Sequence, residues 1–140
     1  MSERLPPRIA IIAVAVGAAL GALLRHGLSD LFPDPGGAFP WTTFAINVSG
    51  SFVLALMPLT AAIRDHPFLP PALGTGVLGG FTTMSGAIVQ THHLYDGGHA
   101  LTAGLYLVGT FAAAMVAVAI ADQITTVEER LEFEEEEGDL

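Results

Sequence analysis

The chain has 140 residues, half of them hydrophobic, with five arginines, no lysine, no cysteine and a net charge of −9. Without cysteine there is no disulfide, thiol nucleophile or cysteine-held metal, and the acidic balance excludes the basic footprint of a nucleic-acid binder. Eight of the fourteen acidic residues fall within 128–140, so the remainder is nearly neutral and strongly apolar.

Four uncharged runs, 9–24, 39–63, 68–91 and 100–121, make up most of the chain. A membrane-crossing helix needs about 20 apolar residues, because the hydrocarbon core of a bilayer is about 30 Å thick. The last three runs reach that length unaided. The first reaches it by continuing past Arg25 toward Phe32, with Arg25 snorkelling or facing a protein partner. Arg4 and Arg8 before an apolar run suggest a signal peptide, but Arg25 and His26 follow directly and no A-x-A-like cleavage site precedes a soluble domain. We expect an all-α transmembrane domain over 1–124, with spans near 9–32, 39–63, 68–92 and 99–124, then an acidic, disordered tail over 125–140.

The connections are well marked. Pro33, Pro35, Gly36, Gly37 and Pro40 separate the first two spans, Arg64-Asp65-His66-Pro67 the second and third, and Tyr95-Asp96-Gly97-Gly98 the last two. Such short links make successive helices antiparallel and put both termini on one side. Arg4, Arg8, Arg64 and Arg130 lie on that side and only Arg25 on the other. The positive-inside rule then places the termini in the cytoplasm.

Gly17 and Gly21 form a G-x-x-x-G face, as do Gly76 and Gly80, and the last span carries Ala112, Ala113, Ala114 and Ala117. Small residues let helices approach closely where lipid supplies no hydrophobic drive. The third span holds Gly76-Val77-Leu78-Gly79-Gly80-Phe81-Thr82-Thr83-Met84-Ser85. Three glycines and three hydroxyls at membrane depth predict a break in the helix, tolerated only where the backbone is buried in protein or lines a polar cavity.

Asn47 stands in the second span among Thr42, Thr43, Ser49 and Ser51. It is either a structural interhelical hydrogen bond or an amide donor to an anion. Tyr106 and Thr110 share a helix face, with Ala114 next on the stripe. They are either a hydrogen-bonding track or an interfacial Tyr with a back-bonded Thr. His92, His93 and His99 lack the spacing and carboxylate context of a zinc site and read as a surface patch. No Asp, Glu or Lys interrupts the uncharged runs, which disfavours a proton-coupled exporter and favours passive conduction. No nucleophile–base pair or phosphate loop is present, so an enzyme is not expected. Four small helices hardly enclose a water-lined path alone, so oligomerisation is.

These residues resemble a known family, the CrcB/Fluc fluoride channels of bacteria. Gly21-Ala22-Leu23-Leu24-Arg25 is similar to the family's end of helix one. Thr43-Phe44-Ala45-Ile46-Asn47-Val48-Ser49-Gly50-Ser51-Phe52 is similar to its second-helix segment, and Gly79-Gly80-Phe81-Thr82-Thr83-Met84-Ser85 to its third-helix break. The resemblance covers about residues 9–122. It implies an antiparallel dimer of four-helix subunits in the bacterial plasma membrane, with two fluoride pores and a structural Na+ at the dimer centre. Gly79 and Thr82 match the residues whose backbone carbonyls hold that sodium. Asn47 matches the pore amide, and Thr43 and Thr110 match members of the polar track. With Thr83, Ser85 and Tyr106 they make up the expected anion pathway.

Four positions depart from the family pattern. Met84 and Ala87 replace its two pore phenylalanines, while Gln90 and Ala114 replace a Glu and a Ser. The expected function is passive fluoride efflux, with fluoride trapped by ionisation of entering HF, through a dimer with a homologous or an identical subunit. The heterodimer is favoured because the arginine bias fixes one orientation. A small coupled exporter and a non-conducting membrane scaffold are the rival readings.

Overall fold

A computed structural model describes residues 6–60, 63 and 66–138. Arg4 and Arg64, which contribute to the expected orientation, lie outside the described residues. The regular secondary structure among the described residues is all helical, with no strand among them.

Helix α1 runs Pro7–Leu31. Pro7 suits a first turn because its missing N–H would have had no partner there. The helix closes where the Phe32 N–H donates to the Leu28 carbonyl. Thr42 then fastens the next helix to this end: its hydroxyl donates to the Phe32 carbonyl at 2.6 Å, and its N–H to Asp34 Oδ1 at 2.9 Å. Helix α2, Trp41–Leu56, is followed by a 3₁₀ turn, Met57–Leu59. The sequence suggested helix to residue 63. Pro58 has no N–H to continue the ladder and would crowd the preceding turn, so the α-helix stops at Leu56. The 16 helical residues and 3 turn residues together still rise about 30 Å, enough to cross the hydrocarbon core.

The third span is broken, as its glycines and hydroxyls predict. Its first half, α3 (70–81), is a wide π-helical stretch, Pro70–Leu78, closed by a single α-turn, Gly79–Phe81. Thr82 and Thr83 are extended, and α4 follows at Met84–Asp96. Helix α5 spans Ala100–Gly138. It therefore continues past its apolar stretch, Ala100–Ile124, into the acidic segment expected to be disordered. Glu, Leu and Arg are good helix formers, and extending an existing helix avoids the cost of nucleating one.

Arg8–Leu31, Pro70–Asp96 and Ala100–Ile124 are each long and apolar enough to cross a membrane, and Trp41–Leu56 is a shorter apolar helix. Large side chains such as Ile11, Leu23, Leu101 and Met115 face outward, the arrangement that suits a lipid solvent. The chain is a multi-pass helical membrane protein.

The helices pair by two different rules. Helix α1 meets α3 backbone to backbone, and the two G-x-x-x-G faces are the contact: a Cβ on Gly17 would strike the Ala72 carbonyl, one on Gly21 the Val77 carbonyl, and one on Gly80 the Ala18 carbonyl. Gly76 lies on the same seam, where its Cβ would stand 3.1 Å from Gly17 Cα. Helices α4 and α5 pack by side chains instead, through Ala87, Leu94, Ala103 and Tyr106, with Phe39 and Phe44 against them. Phe39 meets the Tyr106 ring edge-on at 5.3 Å and 88°. The loop 33–40 thereby rests on the loop end of the bundle, where a Cβ on Gly37, at φ +80, would strike the His99 ring.

Candidate polar pathway at the helix break

The break is held open by a side chain acting as backbone. Asn47 Nδ2 donates to the Thr83 carbonyl at 3.0 Å, and the Thr83 N–H donates to Asn47 Oδ1 at 2.7 Å. In an unbroken helix that N–H would have satisfied the Gly79 carbonyl, four residues back. The same diversion occurs one step later, because the Gly86 N–H donates to Thr83 Oγ1 at 3.0 Å rather than to the Thr82 carbonyl. Thr83 is thus the N-cap of α4. The Gly79 and Thr82 carbonyls are released from the helical ladder by two identifiable competitors. The carbonyl between them at Gly80 accepts from Arg25 Nε at 3.4 Å. Arg25, expected to snorkel or to face a partner, turns inward and caps the end of α3.

Beside the break lies a cavity of about 250 Å³ lined from three directions: Asn47 and Ser51 on α2, Thr82, Thr83, Met84 and Ala87 at the break and α4, and Leu107, Thr110, Phe111 and Ala114 on α5. Most of the residues singled out in the sequence converge here. Asn47 and Thr110 are two of the three buried polar side chains among the described residues. The third, Thr43, lies one helical turn from Asn47 on the same face of α2, beside the Tyr106 hydroxyl.

Not every expected residue presents a free group. Thr110 Oγ1 donates to the Tyr106 carbonyl at 2.7 Å, the back-bonded arrangement. It still lines the cavity and its oxygen can accept. Tyr106 is fully buried, and its hydroxyl donates to Gln90 Oε1 at 2.7 Å, so it is an internal strut and not an interfacial anchor. Ser85 is exposed and outside the cavity lining, with its hydroxyl 3.4 Å from that of Thr83.

Ser51 and Phe111 were not expected to line the site. Ser51 was legible, since Thr43, Asn47 and Ser51 recur every four residues on one helix face. Phe111 carries no comparable signal, because an aromatic in an apolar helix is ordinarily lipid-facing. His92 pairs with Asp96 at 3.0 Å on the exposed surface, and no three His, Asp or Glu side chains converge as a metal site among the described residues.

A broken third span, a buried amide pinning it and a largely apolar cavity into which three helices place a few polar side chains are the features of an integral membrane protein. Residues 12–121 match the family described as CrcB-like protein, Camphor Resistance (CrcB), and the chain belongs to that family. It is 40% identical over 121 residues to the fluoride-specific ion channel FluC 2 of Nocardia farcinica, covering 84% of this chain and 86% of that one. It is 40% identical over 113 residues to the fluoride-specific ion channel FluC 1 of Streptomyces coelicolor, covering 79% and 73%. With the fluoride-specific ion channel FluC of a Roseiflexus species it shares 39% over 122 residues, covering 84% and 97%.

Proposed function

We propose that this chain is a subunit of a fluoride channel that lets fluoride leave the cytoplasm passively, and that it is not an enzyme. Its relatives are named as fluoride channels over most of their length. The observation that carries the reading is the Asn47–Thr83 clamp. One of the two Nδ2 hydrogens serves the Thr83 carbonyl, which leaves a second donor for the cavity that Asn47 lines. The N-terminus of α4 opens onto the same cavity through Thr83 and Met84 and adds the positive end of a helix dipole. A bare anion is prohibitively costly to bury without partners, and these groups replace its water. No embedded carboxylate interrupts the apolar runs, which supports passive conduction over proton-coupled export.

The freed Gly79 and Thr82 carbonyls fit a structural Na+, which would supply a fixed positive charge tying the break to an apposed subunit. Neutral carbonyls favour a weakly charged, oxygen-seeking cation. Exchanging sodium for a large organic cation is expected to lower the dimer's melting temperature in detergent by about 5 °C or more. An unchanged melting curve would remove the ion from the proposal.

Met84 and Ala87 line the cavity where the family pattern has phenylalanines, and Met84 faces outward. With the arginine bias, which fixes one orientation with both termini cytoplasmic, this supports a homologous partner of opposite orientation that completes the pore. The test is fluoride efflux from liposomes containing the chain alone or together with a homologous subunit from the same genome. The pair is expected to exceed the lone chain by about tenfold or more. Full activity of the lone chain would leave a homodimer. No flux from either preparation would refute the channel and leave a membrane scaffold.

A further inference from the structure

Ser51 stands in the lining of the break cavity without a structural task. Of the other hydroxyls there, Thr82 donates to the Leu78 carbonyl at 3.0 Å and Thr110 to the Tyr106 carbonyl at 2.7 Å. Thr83 Oγ1 accepts from the Gly86 N–H at 3.0 Å and shares a bond with the Ser85 hydroxyl at 3.4 Å. The Ser51 hydroxyl has no hydrogen-bond partner among the described residues.

A serine within an apolar helix ordinarily donates to a carbonyl three or four residues back. Ser29 does so to Arg25 at 3.0 Å, and Ser49 to Ile46 at 3.4 Å. For Ser51 those acceptors would be Val48 and Asn47, and its hydroxyl bonds to neither. An unpaired hydroxyl is costly at a depth where bulk water does not reach. Its proton is therefore left for whatever occupies the cavity.

The surroundings say what that occupant is. Ser51 follows Asn47 by four residues, which puts both on one face of α2 with Cβ atoms about 5–6 Å apart. Asn47 gives one Nδ2 hydrogen to the Thr83 carbonyl and keeps the other. Charge-assisted bonds run about 2.7–2.9 Å from nitrogen and about 2.5–2.7 Å from a hydroxyl, so one small ion can accept from both residues. No cationic side chain lines the cavity, so nothing there balances a multiply charged anion.

Resting on the channel reading above, we propose that Ser51 is the second anion donor of the break cavity. Its hydroxyl and the free Asn47 hydrogen take one small monovalent anion between them. An ion that has shed its water meets two donors one helical turn apart instead of one, and the donor row of α2 extends a turn beyond Asn47, away from loop 33–40.

Ser51→Ala and Ser51→Cys test the donor. Alanine removes the hydroxyl, whereas cysteine keeps nearly the same shape and offers only a weak S–H donor. In liposomes containing whichever assembly conducts, both variants are expected to lower fluoride flux by about tenfold. Their melting temperatures in detergent are expected to stay within about 2 °C of the wild type. Flux from both variants within about twofold of the wild type overturns the assignment and leaves the channel intact. Flux lost in Ser51→Ala but kept in Ser51→Cys marks a packing role and overturns it as well, as does a loss that follows a lowered melting temperature. If Ser51→Ala fails to assemble, Ser51→Cys decides alone. Absence of wild-type fluoride flux overturns both readings.

Discussion

Asn47→Leu is expected to cut fluoride flux by about a hundredfold or more, because it removes the buried amide donor from the path. The same change orphans the Thr83 N–H and carbonyl, which Asn47 serves at 2.7 and 3.0 Å. An unpartnered buried donor costs about 1–3 kcal/mol, so the variant is also expected to melt earlier. Asn47→Asp separates the two roles. Its carboxylate still accepts from the Thr83 N–H, which retains half of the pin and gives up the bond to the Thr83 carbonyl, but it offers no donor and repels an anion. Its assembly is expected to stay intact by size-exclusion chromatography while its flux falls as far as that of Asn47→Leu. An Asn47→Asp channel conducting like the wild type would show that the amide serves the fold and not the ion.

The largest structural effect is expected from Gly80→Ala and Gly21→Ala. A single methyl at either position runs into main-chain carbonyls of the facing helix, Ala18 for the first and Val77 for the second. Backbone cannot rotate aside as a side chain can, so α1 and α3 must separate along the seam. Overpacking of this kind costs about 1–3 kcal/mol when the neighbours can relax, and more when they are backbone. Gly27 and Gly104 supply matched controls, since nothing lies within 4 Å of a Cβ at either site. Gly27→Ala, on the same helix as Gly21, is expected to be neutral or stabilising by up to about 1 kcal/mol. The check is the fraction recovered as a monodisperse peak after heating in detergent. Equal recovery of Gly21→Ala and Gly27→Ala would contradict the contact.

Hydropathy makes the helices legible, because a bilayer imposes length and apolarity together. The break was legible too, because glycines beside hydroxyls weaken a helix at a depth where no water can satisfy the freed backbone. The G-x-x-x-G pairs announced close contacts, although only the folded chain shows that the two faces meet each other. What the sequence leaves open is direction. Nothing in the residue types says that the Asn47 amide turns to Thr83, or that Thr110 bonds back while Tyr106 reaches Gln90. Those choices depend on the rotation of α2, α4 and α5 about their axes, which packing sets. Gln90 illustrates the limit: as a residue type it is an ordinary polar side chain near a helix end, and its significance comes from Tyr106 sixteen positions away.

The hydrogen bonds between Asn47 and Thr83 use only main-chain atoms of Thr83. Every amino acid except proline presents those same atoms, so drift at position 83 neither records nor compensates a change at 47. A contact that pins the helix break is thereby hidden from any reading of which positions vary together, and across evolution its upkeep falls on one side chain alone.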